Sequence, residues 1–352
     1  MRILNTVLGD ASGGRWQVVV DYANVLTEMS HEVLLVAASN KVTESTLLPK
    51  NVKIKTIRNS GHDDLFATFA ARKLIKQWQP DLIIAHCSRS IALMKRASLG
   101  KITVVGVSHS NNVKRMAKAD AFINISTHIA SEINRLGGRG KPAFHIPNMF
   151  HGPDNTVYSP RKQHTPIKIG ALGRFDPVKG FHTLLQAADL LQQRGYEFEI
   201  KLGGEGVQKE ELQRLCQAGM LEDKVEFVGW ISDVNAFFQS VDLVCIPALS
   251  DAFGLTPLDA AINSTPIVLS TAFGHLDMFE EHVSALYFEK GNHEKLADTL
   301  EYALNHPDIL HKLSKKAFQR TLDEYNVDLF TQRLNTALSS LVADRSDSIR
   351  LI

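Results

Sequence analysis

Two carboxylates, Asp251 and Asp259, lie eight positions apart around the start of a predicted helix. Asp251 falls in the loop after an apolar strand predicted at 241–246, and Asp259 falls in the first turn of the helix that follows. The free backbone N–H groups at a helix start, together with the positive end of the helix dipole, form a site for phosphate. Carboxylates on either side can accept hydrogen bonds from hydroxyl groups. This layout favours a ligand with phosphates in the middle and sugars at both ends, which is a nucleotide-sugar.

Asp259 also has a purely structural interpretation. Thr256, Pro257 and Asp259 match a capping box, in which Thr256 is the N-cap, Pro257 is the first helical residue and Asp259 is the acid at the third helical position. Asp259 would then serve the helix alone. The two roles are compatible if the carboxylate also faces the ligand.

Two cations, Arg174 and Lys179, lie in the turn after a strand predicted at 168–172, just before a helix. Five positions apart in such a turn, both side chains can converge on one diphosphate, although both could instead be solvated surface residues. Gly204 belongs to a glycine-rich turn, 203–206, that closes the next strand. A flexible backbone there lets a ligand lie across the sheet edge, or it simply reverses the chain.

The first half of the chain carries weaker signals. Gly13 and Gly14 follow the first strand and open the first helix, where the backbone either approaches a phosphate or sugar or makes a plain turn. The Gly-x-Gly-x-x-Gly spacing of a dinucleotide site is missing, which disfavours a dehydrogenase. His86 and His109 each follow a predicted strand at its carboxyl end, where a histidine can be structural or functional.

Apolar runs typical of strands alternate with segments of helical period, which predicts parallel βαβ units. The predicted fold class is α/β, with two Rossmann-like, doubly wound parallel sheets that face a central cleft and hold ligands at the carboxyl ends of their strands. A proline-rich segment at 148–166 is predicted to be a linker, and 293–342 is predicted to be mainly helical. The predicted strands are 2–7, 32–38, 52–57, 82–85, 102–107, 122–125, 143–146, 168–172, 198–202, 225–228, 241–246 and 266–269.

The length of 352 residues exceeds one ordinary hydrophobic core, so we expect two domains. Their predicted bounds are 1–160 and 161–330, with a C-terminal helix at 331–352 that packs back on the first domain. Three distant cysteines predict neither disulfides nor a zinc site and are typical of a reducing cytoplasm. The chain enters its first strand without a signal-peptide pattern, and no apolar run approaches the roughly 18 residues that span a bilayer.

The net charge of +1 hides an uneven distribution. Residues 1–160 contain 20 Lys and Arg against 11 Asp and Glu, a formal charge of +9, whereas 161–352 contain 19 against 27, a charge of −8. This charge difference can arise by chance, with the charged residues on solvated helix faces. Alternatively, the first half binds an anionic partner such as a membrane surface or lipopolysaccharide. Aromatic residues are not interleaved with the cations, which disfavours nucleic acid.

Together these motifs resemble those of the retaining GT-B glycosyltransferases of family 4, the group 1 glycosyl transferases. The resemblance covers nearly the whole chain, and the second half is its specific part. The motifs that carry it are Gly-Gly-Arg-Trp at 13–16, Ser-His at 108–109, Ile-Pro-Asn at 146–148, Gly-Arg-Phe-Asp-Pro-Val-Lys-Gly at 173–180, Gly-Glu-Gly at 204–206, Val-Glu-Phe-Val-Gly-Trp at 225–230 and the Asp-x7-Asp block at 251–259 with Asn-Ser-Thr-Pro-Ile-Val after it.

The resemblance implies that the first domain binds the acceptor and the second binds the nucleotide-sugar. The catalytic residues that it implies are His109, Arg174, Lys179 and Asp251. The donor-binding residues that it implies are Gly14, Gly204, Trp230, Ile231, Phe253, Gly254, Leu255, Thr256 and Asp259.

The implied roles follow the parts of the donor. Arg174 and Lys179 would grip the diphosphate together with the N–H groups of Gly254, Leu255 and Thr256. Asp251 would contact hydroxyls of the transferred sugar, and Asp259 would contact the ribose. The segment Gly229-Trp230-Ile231 would line the base through its backbone. Gly14 would lie near the diphosphate, and His109 would lie near the sugar.

This chain departs from the family pattern at the acidic block. The family normally has Glu-x7-Glu, so each Asp shortens the reach by roughly 1.5 Å, about one bond. Ala252 replaces the usual glycine. His275 and Asp277 stand where the family usually has a glycine and, a few residues on, a Glu. These departures leave the identity of the donor open.

The resemblance implies an enzyme that moves a hexose-type sugar, with retention, from a nucleotide-sugar, a UDP-sugar in preference, to a glycan or glycolipid acceptor in bacterial lipopolysaccharide or cell-surface polysaccharide synthesis. We expect no metal, no cofactor and no nucleic-acid partner. The expected location is the cytoplasm, peripheral on the inner face of the cell membrane. The alternatives are a protein that binds a nucleotide-sugar without transferring it, and a GT-B-fold epimerase or phosphorylase.

Overall fold

The structure is a computed structural model that describes residues 1–9, 13–38, 52–152, 156–160 and 163–349. It divides into two compact units. The first unit combines Met1–Asn148 with the C-terminal helix that begins at Val327, and the second is Met149–Asn326.

The first unit contains a seven-stranded parallel sheet in the order β3-β2-β1-β4-β5-β6-β7. The central strands β1 and β4 are buried along nearly their whole length, as expected for apolar runs in a parallel sheet, whereas the edge strand β3 is mostly exposed and carries two lysines. The strands are β1 (Arg2–Val7), β2 (Glu32–Ala37), β3 (Lys53–Thr56), β4 (Leu82–Ala85), β5 (Thr103–Val107), β6 (Ala121–Asn124) and β7 (Ala143–His145). The helices between them are α1 (Gly14–Glu28), α2 (Leu65–Trp78), α3 (Ser88–Ser98) and α4 (Thr127–Ile133).

The second unit contains a six-stranded parallel sheet in the order β10-β9-β8-β11-β12-β13. The strands are β8 (Ile167–Leu172), β9 (Phe198–Gly203), β10 (Val225–Gly229), β11 (Leu243–Ile246), β12 (Ile267–Ser270) and β13 (Leu286–Phe288). The helices are α5 (Phe181–Gln193), α6 (Lys209–Ala218), α7 (Val234–Gln239), α8 (Thr256–Ile262), α9 (Phe273–Leu276), α10 (His293–Asn305) and α11 (Pro307–Glu324). The last helix of the chain, α12 (Val327–Ile349), belongs to the first unit.

The predicted α/β fold with two parallel sheets is confirmed. All twelve predicted strands are present, with bounds within two residues of those predicted. The strand β13 was not predicted, because three apolar residues are too short to show a period and their role depends on pairing with β12. No helix in the described ranges has both the length and the apolar composition that crossing a bilayer requires.

The segment predicted to be a linker, 148–166, lies outside the described residues at 153–155 and 161–162, and its described residues fall largely within the second unit. The N–H of Phe150 donates to the carbonyl oxygen of Tyr325 (3.0 Å), and the N–H of Ser159 donates to Ser264 Oγ (3.0 Å). The hydroxyl groups of Tyr158 and Ser314 are 2.8 Å apart. These bonds explain why the structure divides the chain after Asn148 rather than after residue 160.

Candidate active site

The second sheet reverses its strand order between β8 and β11, and the loops that follow these two strands meet at that point. In doubly wound sheets this switch point opens a crevice at the carboxyl ends of the strands, where ligands bind. The N–H of Leu249 donates to the carbonyl oxygen of Val178 (2.9 Å), which ties the two loops together. Gly180 has a φ of 68°, and a Cβ there would lie 2.0 Å from the carbonyl oxygen of Pro247, so only glycine permits this approach.

Lys179 and Asp251 form an ion pair at this switch point. The distance from Lys179 Nζ to Asp251 Oδ2 is 2.7 Å, and the Asp251 side chain is only 14% exposed. Burial raises the pKa of Asp251, but the charges of Lys179 and His275 outweigh it, so the net pKa lies below its usual range. The aspartate is therefore ionised and holds the ammonium group of Lys179, whose side chain is 29% exposed.

His275 is a buried neighbour that we did not predict as a site residue. Its Nδ1 donates to the carbonyl oxygen of Ser270 (3.1 Å), so in the neutral ring Nε2 carries the lone pair. Nε2 has no hydrogen-bond partner among the described residues. Burial lowers the pKa of His275, although the charge of Asp251 acts in the opposite direction. In the sequence, the only indication of an unusual role for His275 is that the family usually has a glycine at this position.

Gly274 holds the loop of Asp251 against helix α9. Its N–H donates to the carbonyl oxygen of Asp251 (3.1 Å). A Cβ at this position would lie 2.4 Å from the backbone nitrogen of Phe253 and 2.5 Å from the carbonyl carbon of Ala252. The absence of a side chain at Gly274 therefore allows the two backbone segments to come into contact. This contact fixes the position of the Asp251 loop relative to helix α9.

The predicted capping box at Thr256 is wrong. Helix α8 begins at Thr256 itself, with Leu255 as its N-cap, and no side chain caps it. Leu255 already has helical dihedrals (φ −86°, ψ −32°), whereas a capping serine or threonine needs an extended backbone. Asp259 lies in the first turn of this seven-residue helix and is partly buried. Gly254, with a φ of 89°, turns the loop into the helix.

The remaining predicted donor residues lie at the ends of neighbouring strands of the second sheet. Arg174 follows β8, has a side chain 55% exposed, and pairs with Asp176 (3.0 Å). The N–H of Gly204, after β9, donates to the carbonyl oxygen of Gly229 at the end of β10 (2.7 Å). Trp230 follows β10 and is 68% exposed. Ile231, also after β10, lies beside β9, and Phe253 is buried against Tyr325.

In the first unit, the two predicted histidines form one hydrogen-bonded chain. His86 Nδ1 lies 2.9 Å from His109 Nε2, and His86 Nε2 lies 2.6 Å from Asn5 Oδ1. The Asn5 amide donates to the carbonyl oxygen of Val19 (2.9 Å), so its oxygen accepts from His86. His86 Nδ1 must then accept from His109 Nε2, which leaves the lone pair on His109 Nδ1.

His86 and His109 are both neutral at physiological pH. Burial lowers the pKa of His86 well below its usual value. Burial, and to a lesser extent the charge of Arg15, lowers the pKa of His109 to about 3. His109 can therefore offer a lone pair, rather than a proton, to a hydroxyl group.

Gly14, the other predicted donor residue of the first unit, is the first residue of helix α1, after Gly13 at a φ of 58°.

Two family models match successive parts of the chain. The model described as Glycosyltransferase Family 4 matches residues 12–151, and that described as Glycosyl transferases group 1 matches residues 155–320. The chain belongs to the glycosyltransferases with the GT-B fold. The expected enzyme class is thereby confirmed, whereas retention of configuration and assignment to family 4 itself stay predictions.

Two relatives of this chain are themselves glycosyltransferases. The chain is 22% identical over 288 residues to the lipopolysaccharide core biosynthesis glycosyltransferase LpsE of Rhizobium meliloti, which covers 80% of this chain and 83% of that relative. An uncharacterised glycosyltransferase of Haemophilus influenzae is 26% identical over 322 residues, 87% of this chain and 91% of the relative.

Solved structures share the fold of this chain. HepE of Anabaena in complex with UDP-glucose superposes with a TM-score of 0.83 at 19% identity, covering 97% of this chain and 100% of that one. The lipopolysaccharide outer core galactosyltransferase WaaB superposes with a TM-score of 0.79 at 17% identity, covering 97% and 99%. These likenesses confirm the predicted GT-B class.

The glycosyltransferase therefore gathers part of the predicted site in its second unit. Lys179 and Asp251 are in direct contact, and the loop that carries Phe253 and Gly254 is braced by Gly274. Arg174 has its own partner, Asp176, at the surface. In the described ranges, no group of three or more His, Cys, Asp or Glu residues is arranged to hold a metal ion.

Proposed function

We propose that this glycosyltransferase moves a hexose-type sugar from a UDP-sugar to a glycan or glycolipid acceptor of the bacterial envelope. The observation that carries the donor assignment is the Lys179–Asp251 pair at the switch point of the second sheet. A cation beside a sugar-binding carboxylate suits a ligand in which a diphosphate adjoins a hexose. The complexes of HepE with UDP and with UDP-glucose support a uridine nucleotide.

The donor lies along the carboxyl ends of the strands of the second unit. Lys179 and Arg174 neutralise the diphosphate, and the N–H groups of the 254–256 loop add hydrogen bonds. Asp251 accepts hydrogen bonds from hydroxyls of the transferred sugar once Lys179 turns to the phosphate. Asp259 binds the ribose, and the backbone at Trp230 lines the base. The exposed Trp230 and the turn at Gly204 leave that end of the sheet accessible.

The chemical difficulty of the transfer is charge separation. The nucleoside diphosphate leaves as an anion while the sugar becomes oxocarbenium-like, so cations held at the diphosphate stabilise the transition state more than the ground state. The acceptor hydroxyl attacks from the face of the leaving group, its proton passes to the departing phosphate, and the anomeric configuration is retained. The protein supplies the positive charge through Arg174 and Lys179, so turnover requires no divalent metal.

The first unit binds the acceptor. His109 lies near the transferred sugar, where the lone pair on its Nδ1 accepts a hydrogen bond from a hydroxyl of that sugar while His86 and Asn5 hold the ring. The acceptor class is supported by the relatives, which include LpsE and a putative colanic acid biosynthesis glycosyltransferase, WcaL, of Escherichia coli. We place the enzyme in the cytoplasm at the inner face of the membrane.

One exposed face of helix α2 is the surface that meets an anionic bilayer. Phe66 is 90% exposed and Phe69 is 64% exposed. Arg72 lies 5.8 Å from the ring of Phe69, and Lys73 and Lys76 continue along the same helix. Exposed aromatic rings beside cations are the combination that binds an anionic membrane interface.

Vesicle sedimentation tests the membrane surface. Phe66→Ser and Phe69→Ser should weaken binding to vesicles that contain phosphatidylglycerol, and Val207→Ser, an exposed apolar residue of the second unit, should not. Binding should also weaken with added salt. Salt-independent binding, or equal binding by all the variants, contradicts this assignment.

Product analysis tests the transferase assignment. Purified enzyme is incubated with UDP-glucose, UDP-galactose or UDP-N-acetylglucosamine, with and without truncated lipopolysaccharide, and UDP release and glycan mass are measured. We expect UDP release that depends on the acceptor together with a mass increase of one sugar. Tight UDP binding without release indicates a binding protein, and conversion of the donor without acceptor indicates an epimerase.

A further inference from the structure

A polar cavity of about 180 Å³ lies at the switch point of the first sheet. The strand order reverses there between β1 and β4, so the loops after these strands leave in opposite directions. The N–H of Leu8, after β1, donates to Ser90 Oγ (2.7 Å) in helix α3, which follows β4. The walls include Arg15, His62, Arg89 and His109, and we call the cavity the basic pocket.

The described walls of the basic pocket carry positive charge and no carboxylate. Arg15 comes from α1 and Arg89 comes from the first turn of α3. Arg89 Nη1 donates to Asn59 Oδ1 (3.1 Å) and to the carbonyl oxygen of Leu8 (3.4 Å), both of which are neutral acceptors. These bonds hold the guanidinium group in place and leave its charge available to a ligand.

His62 in the wall senses the charges of nearby cations. His62, in the wall, has its Nε2 3.0 Å from Ser88 Oγ. Burial lowers the pKa of His62, and the charges of Arg115, Arg89 and Lys118 lower it further, against an opposite effect of Asp63. Three observations thus coincide in one place: a cavity, a switch point and two arginines in the wall of the cavity.

We propose that the basic pocket binds an anionic group, a phosphate or a carboxylate, that is carried by the acceptor saccharide. Planar guanidinium groups form paired hydrogen bonds with the oxygens of such a group, and the dipole of α3 adds to the attraction because Ser88 and Arg89 begin that helix at the pocket wall. The inference rests on the proposed function, because it takes the first unit as the acceptor unit.

The first experiment measures the affinity of the full chain for inorganic phosphate while UDP saturates the donor site. The histidine ring signals are followed by NMR during titration with phosphate, against sodium chloride at equal ionic strength. Phosphate should shift the signals of His62 and His109, whereas His164 of the second unit should not move. Chloride that shifts His62 and His109 equally overturns the proposal.

Two charge-removing variants locate the anion. Arg89→Gln should weaken phosphate binding by about tenfold or more, the scale of a hydrogen bond to a charged group, and Arg139→Gln, an exposed arginine of the same unit, should match wild type. Equal affinity in all three proteins overturns the proposal. Should Arg89→Gln lower the melting temperature, the exposed Arg115→Gln provides the same comparison, with an expected loss of a few-fold.

Donor titrations decide which substrate carries the anion. Arg89→Gln should bind UDP-glucose with the affinity of wild type, and it should likewise bind UDP-glucuronic acid with the affinity of wild type. A loss that is specific to UDP-glucuronic acid assigns the anion to the transferred sugar and overturns the acceptor assignment. If no UDP-sugar binds, the proposed function fails and the acceptor assignment fails with it, while the phosphate comparison by itself still decides whether the basic pocket is an anion site.

Discussion

The backbone contact at Gly274 makes a sharp prediction about donor binding. In Gly274→Ala the new Cβ would lie 2.4 Å from the backbone nitrogen of Phe253, whereas ordinary van der Waals contact begins at 3.4 Å. The Asp251 loop and helix α9 must therefore separate by roughly 1 Å. Because Phe253 and Gly254 lie in that loop, the shift displaces the N–H groups that we assign to the diphosphate.

The expected loss follows from hydrogen bonds to a charged group, each of which contributes about 1.5–3 kcal/mol. Losing one of them weakens UDP binding by about tenfold to a hundredfold. A misplacement of this size can also lower the turnover rate by about a hundredfold. Isothermal titration calorimetry with UDP measures the first effect, and UDP release in the presence of acceptor measures the second.

Gly219→Ala is the matched control. Gly219 lies in the same unit, its φ is −87°, and its Cβ would lie 3.4 Å from Leu221, so alanine fits without displacement. This variant should bind UDP like wild type. If Gly274→Ala also keeps wild-type UDP affinity while folded, the loop does not position the donor, and our account of the diphosphate site is refuted.

Three further outcomes follow from the same geometry. Lys179→Ala should lower kcat by about a hundredfold, and activity within about threefold of wild type contradicts the role of the cation. EDTA should leave turnover intact; a loss that Mn²⁺ restores would overturn the metal-free mechanism. Because burial holds the pKa of His109 at about 3 in the folded state against about 6.5 when unfolded, the unfolded state binds more protons below pH 6.5. Stability therefore falls as pH falls from 6.5, and urea titrations at pH 7 and 5 should show wild type losing about 2 kcal/mol more than His109→Gln; equal losses argue against a neutral buried ring.

Local patterns in the sequence predicted the strands because the side-chain period and length of a buried strand are visible within a few residues. The fold class and the turns that carry Lys179, Asp251 and Gly204 followed from this alternation. The capping box predicted at Thr256 was wrong, because the residue types match the motif but the backbone of Leu255 is already helical. The departure from the family glycine marked His275 as unusual, but it did not show that this ring is buried beside Asp251.

What the sequence by itself determined is the order of βαβ units, the parallel sheets and the identity of the residues at the carboxyl ends of the strands. Only the tertiary structure decided which of those residues meet. Lys179 and Asp251 are 72 positions apart, and His86 and His109 are 23 apart. Each pair forms because the strand order places two distant loops side by side, and no short-range pattern encodes that order. The close approach at Gly274 has the same origin, because the need for glycine at this position depends on contact with the backbone of a segment that is distant in the sequence.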